Sequence, residues 1–179
     1  MSVTFDEIVK FAQSNDVRVN LTLIDVTQIE FEERVKLRCY YCPKYDTKWT
    51  CPPRTPNLDY KKMVNEYENA AIISLGLEYS NEREFEDARN KSSLQLHRLL
   101  LKIESYLFEH NNVTYNTFIG GSCKLCKNGC SPDKCKNPGL SRIPLEAIGV
   151  NIVKTLKKYN INVVFPPSGT IYRYGLLLW

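Results

Sequence analysis

Seven cysteines fall in two short stretches of this 179-residue chain, and no other feature limits its fold as strongly. The first stretch reads Cys39-x2-Cys42-x8-Cys51, the second Cys123-x2-Cys126-x3-Cys130-x4-Cys135. The second lies within GGSCKLCKNGCSPDKCKNPG, residues 120–139, which shows neither the 3.6-residue period of a helix nor the alternation of a strand. Both stretches must therefore be loops, and the core has to come from the rest of the chain. With 43% apolar and 25% charged residues, the remainder has ordinary globular composition and length enough for a core.

The odd cysteine count argues against a closed disulfide set. The opening MSVTFDEIVKFAQSND has early acids and helical periodicity, unlike a secretory leader. The runs AAIISLGL and YGLLLW are too short to span a bilayer. A soluble cytoplasmic protein without a membrane partner is expected, with its thiols kept reduced. The formal net charge of +4 is too mild to indicate nucleic acid. Basic residues do gather near the cysteines: Lys36, Arg38, Lys44, Lys48 and Arg54 at the first loop, then Lys124, Lys127, Lys134, Lys136 and Arg142 at the second. Such cations favour thiolates, although lysine-rich surface loops are common in any protein.

Between the loops the pattern is α+β. Thr4 and Glu7 form a capping box for a helix over 5–14. Alternation predicts a strand over 17–26, and EERVKLRCYYC reads as extended chain running into the first cysteine loop at 39–57. A helix is expected near 58–68, a buried strand at 70–79, and a long helix from Asn81 to about His110. VTYNTFIG reads as a strand leading to the second loop. Pro144 suits the first turn of another helix, whose apolar face is Leu145, Ile148, Ile152, Leu156 and Tyr159. INVVFPP and IYRYGLLLW read as two final strands. No linker interrupts the chain. It reads as a single domain over 1–179: a small mixed sheet with packed helices and both cysteine loops at one end. The halves echo each other weakly, each with a cysteine loop, prolines, a helix and an apolar strand; any α/β chain offers such echoes, and if this one is real the loops should be neighbours at equivalent strand ends.

Metal binding by such loops is economical, because a C-x2-C pair turns two thiolates toward one centre while few backbone dihedrals are fixed. Zinc could be held by Cys39 and Cys42 with Cys123 and Cys126, but Cys51, Cys130 and Cys135 would then be idle. Iron–sulfur loops place three cysteines close together, with a fourth followed by proline. The second loop resembles that run with one extra residue in two gaps, and Pro138 stands three residues after Cys135. Gly120, Gly121 and Gly129 would let backbone N–H groups approach a cluster. The spacing favours one or two 4Fe-4S clusters over zinc. Four thiols suffice for one centre; the three at 39–51 leave another one ligand short, to be met by Asp46, by an outside molecule, or by a different sharing of the seven.

Other candidates are weaker. His97 and His110 lack paired-ligand spacing and read as packing or surface residues. Tyr40, Tyr41, Tyr45 and Trp49 could shield a centre or stack on a planar molecule, and Arg54 could hold an anion or form a surface ion pair.

The stretches CYYCPKYDTKWTCPP, GGSCKLCKNGCSPDKCKNPG, SRIPLEAIGV and YRYGLLL resemble the uncharacterised predicted metal-binding protein family, domain of unknown function 2284. The likeness covers most of the chain from Cys39 onward and is thinner in the N-terminal helix and strand. It implies a cysteine-bound metal centre, iron–sulfur rather than zinc, with Cys39, Cys42, Cys51, Cys123, Cys126, Cys130 and Cys135 as ligands. It implies no particular reaction. A redox partner protein or a small-molecule substrate would complete such a centre's work.

Overall fold

The computed structural model describes residues 3–179. Helix α1 (Phe5–Asn15) starts at the expected capping box: the Thr4 amide donates to Glu7 Oε2 at 2.8 Å, and the Glu7 amide to Thr4 Oγ1 at 3.4 Å. Strand β1 (Val19–Ile24) follows, then α2 (Glu33–Tyr40), α3 (Tyr60–Val64), β2 (Ala70–Glu78), α4 (Glu82–Glu109), β3 (Asn116–Phe118), α5 (Ile152–Lys157) and β4 (Thr170–Leu178). The strands form one sheet in the order β1-β2-β4-β3.

The sheet is buried on both faces, which explains its nearly continuous apolar strands. Alternate residues divide between two cores. Ala71, Ile73, Leu75 and Leu177 meet α1 and α4, with Leu100 and Ile103 among the fully buried contacts. Ala70, Ile72, Leu176 and Leu178 meet the opposite layer, made by α3, α5 and the turns carrying Leu145 and Ile148. Helix α4 has 28 residues and spans about 42 Å at 1.5 Å per residue, long enough to brace both the sheet and the second cysteine loop.

All named strand pairs are antiparallel, so the sheet is not mixed in direction; the parallel contact is an isolated bridge between Ile119 and Pro144. Residues 33–40 form a helix instead of extended chain. Val35-Lys36-Leu37-Arg38 imitates strand alternation, yet the segment is rich in good helix formers and buries none of its residues. Polar anchors hold it: the Glu32 amide donates to Gly149 O at 2.9 Å, and the Glu32 carboxylate takes Arg34, Lys154 and Asn151.

The helix expected from Pro144 is confined to α5. Ile119 claims the preceding backbone, donating to Ile143 O at 3.1 Å and accepting from the Leu145 amide at 2.8 Å. Gly149 at φ +88° then turns the chain, and Asn151 caps α5. The apolar residues of 145–150 are buried as their pattern suggested, but from turns. The helix near 58–68 shrinks to α3. Residues 161–167 form no strand; two consecutive prolines, Pro166 and Pro167, supply no ladder donors there.

Candidate metal centre

The first cysteine loop is a succession of tight turns, not a strand end. Amide-to-carbonyl bonds run from Cys42 to Cys39, Tyr45 to Cys42, Cys51 to Lys48 and Arg54 to Cys51, at 2.9–3.1 Å. The loop leaves α2, whereas the second loop leaves β3. The internal echo is therefore not a structural repeat, although the two loops are neighbours. Trp49 Nε1 donates to Ser131 O at 2.8 Å and ties one to the other.

The second loop is fixed at both ends. At its entrance, Gly120 packs so closely on β4 that a Cβ there would lie 2.4 Å from Tyr174 O. Gly121 follows at φ +74°, and its amide donates to Glu146 Oε2 at 3.2 Å. At its exit, α4 supplies two holds. His97 Nε2 bonds Leu140 O at 2.9 Å, and Glu104 pairs with Arg142, whose Nε donates to Glu104 Oε1 at 2.7 Å.

Cys123, Cys126, Cys130 and Cys135 all line one recess, closed on another side by Lys48, Trp49 and Thr50 of the first loop. Asn137 Nδ2 donates to Cys126 Sγ at 3.2 Å, and the Lys44 amide to Cys42 Sγ at 3.4 Å. The Thr50 hydroxyl is buried in the recess wall without a hydrogen-bond partner, close to Cys51. Among the described residues, no three His, Cys, Asp or Glu side chains converge tightly enough to hold a single metal ion. All seven cysteines are free.

The thiols influence each other within two sets. Burial, then the charges of Cys39 and Cys42, pushes Cys51 up to about 11. Burial, then Glu146 and Cys42, raises Cys39. In the other set, burial raises Cys123, and Cys130, Cys126 and Cys135 add to the effect. Gathering acids that repel one another as anions is useful where a cation takes up their charge. The surrounding cations work in the same sense. Lys124 is held low by burial and then by Arg173, Arg89, Lys48 and Lys44, a convergence of positive charge beside Cys123.

Residues 22–179 match the profile of a family described as predicted metal-binding protein (DUF2284). The chain belongs to that family. Its members are predicted metal-binding proteins of uncharacterised activity, and the match takes in both cysteine loops while leaving out α1. No curated protein and no solved structure matched the chain.

Of the remaining candidates, His97 is buried and His110 caps α4 while bonding Tyr106 O at 2.8 Å, so both pack as expected. Tyr40, Tyr41 and Tyr45 form an edge-on cluster with Tyr40 and Tyr41 exposed. Arg54 lies 4.4 Å from the Trp49 ring centroid and bonds Asp46 at 2.8 Å. That ion pair engages Asp46, whereas Glu146 influences Cys39 and Cys51. Glu146, Asn137, Arg89 and Arg173 carry no sequence signal for this site; only the fold brings them to it. No helix among the described residues is long and apolar enough to cross a membrane.

Proposed function

We propose that the chain is an iron–sulfur protein. Cys123, Cys126, Cys130 and Cys135 hold one 4Fe-4S cluster, and Cys39, Cys42 and Cys51 hold a second centre whose fourth position is not a cysteine. The observation that carries this reading is the single recess lined by all four thiols of the second loop. A tetrahedral zinc with bonds of about 2.3 Å draws its sulfurs to about 3.8 Å from one another. No such tight group occurs among the described residues, and a single zinc would leave three of the seven cysteines idle.

The polar groups fit the same group. Asn137 and the Lys44 amide already donate to thiol sulfurs, and the orphan Thr50 hydroxyl offers another donor. Donors to sulfur raise a cluster's reduction potential, and the nearby lysines and arginines act in the same direction. A bound cluster would supply reversible one-electron transfer, to or from a redox partner protein or a small-molecule substrate.

Anaerobic purification is the test. Brown protein carrying iron and acid-labile sulfide is expected, with loss of about half the iron in C42S and retention of the second-loop centre. Colourless, fully folded protein with stoichiometric zinc would replace this reading with a zinc-stabilised binding module.

A further inference from the structure

A second cavity, of about 310 Å³, opens between α3, β3 and the exit of the second cysteine loop. That size falls within the usual range for small-molecule sites. Leu58, Tyr60, Met63, Tyr115 and Phe118 supply a mainly apolar wall. Glu104, Arg142 and Thr117, with Asn116 and Ser141 beside them, supply the polar part. Ser141 lines both this cavity and the four-cysteine recess, so a molecule here would lie beside the thiols.

The polar part is an ion pair withdrawn from water: the Glu104 and Arg142 side chains are only 7% and 18% exposed. Burying such a pair is costly unless its remaining hydrogen-bonding positions are met. Arg142 Nε and Nη2 donate to Glu104, and Nη1 donates to Gly139 O and Ser141 O. A guanidinium has five N–H bonds, so one on Nη2 is unspent. The Glu104 carboxylate accepts from Arg142 Nε, Arg142 Nη2 and the Thr117 hydroxyl. It has about four acceptor positions, so one is unspent. Pairing leaves the two groups neutral together, with one donor and one acceptor side by side.

From this wall we infer that the cavity binds a small, uncharged, planar molecule with a carboxamide- or lactam-type edge. Such an edge has its own donor and acceptor adjacent and satisfies both unspent positions, while its ring packs among Tyr60, Tyr115, Met63 and Phe118. An anion there faces the Glu104 carboxylate. A cation faces Arg142. The inference rests on the cavity and holds whichever metal the cysteines bind.

Benzamide, benzoate and benzylamine are matched probes: one ring with a neutral, an anionic or a cationic head. Calorimetry and saturation-transfer NMR on the full chain should show saturable binding of benzamide, at least ten-fold tighter than either charged analogue. Leu58 is 54% exposed at the cavity wall, so L58W fills space without disturbing the core. It should weaken benzamide at least ten-fold while leaving the thermal unfolding midpoint and metal content unchanged. Absence of saturable benzamide binding, equal binding of benzoate, or indifference to L58W would each overturn the inference. None of these outcomes depends on iron, so it fails or stands apart from the iron–sulfur reading.

Discussion

Gly120 and Gly121 stand side by side at the entrance to the second cysteine loop, but for different reasons, and replacing each by alanine separates them. A Cβ on Gly120 meets the Tyr174 carbonyl oxygen at 2.4 Å, where real Cβ atoms keep at least 3.0 Å, so β4 or the loop entrance must shift by at least about 0.6 Å. The obstacle is backbone within the sheet, which cannot swing aside as a side chain can. Overpacking of this kind costs about 1–3 kcal/mol. Gly121 has open space around it, and its φ of +74° is the sole objection to alanine there. That conformation costs about 1–2 kcal/mol, offset by about 0.4–1 kcal/mol from a less flexible unfolded chain. The same offset applies to G120A, which should thus lose about 1.3 kcal/mol against about 0.8 for G121A. With a urea slope near 2 kcal/mol per molar, G120A should unfold about 0.6 M earlier than the parent. G120A should also take up less metal, because its shift enters the chain three residues before Cys123. Urea unfolding followed by circular dichroism, paired with metal analysis, reads both effects. A G120A midpoint equal to or above that of G121A would refute the argument that close backbone approach selects this glycine.

Three further outcomes follow from contacts near the loops. W49F removes the indole N–H that reaches Ser131 and should cost about 1 kcal/mol in urea unfolding, with weaker retention of metal during dialysis. Burial holds His97 below its ordinary value, so its contribution to stability is complete above the free imidazole pKa of about 6.5 and is lost as pH falls below it; H97Q should flatten that acid-side decline in unfolding midpoint between pH 7 and pH 5. Glu146 raises both Cys39 and Cys51, so E146Q in metal-free protein should make Cys39 react faster with iodoacetamide at pH 8, as peptide mapping would measure; an unchanged rate would remove Glu146 from the neighbourhood of that thiol.

The parts legible in the sequence were those whose side-chain pattern is enforced by burial. The run at 70–78 had to be a strand covered on both faces, the run at 170–178 a further strand, and the stripe through Leu96, Leu100, Ile103 and Leu107 a helix against them. Segments held by backbone or charged contacts were misread. Residues 33–40 are a helix anchored by Glu32, and 144–150 are turns because Ile119 binds their backbone. The cysteine spacings pointed to both loops, yet nothing in the chain announced the Trp49–Ser131 bond or Glu146, since each joins positions far apart in sequence. The place of Asp46 in the loop offers it as a non-cysteine ligand; its pairing with Arg54 is a matter of three-dimensional reach.

The division of labour between sheet and loops has a consequence for how the protein matures. Of the buried apolar side chains among the described residues, Cys51 is the sole contribution from 39–57, and none comes from 120–142. The scaffold can therefore fold before any metal arrives, unlike small domains whose folding free energy is the metal's binding energy. Loss of the metal should be a local injury: the loops would slacken, the sheet would stay closed, and the emptied chain could be refilled without being unfolded or replaced.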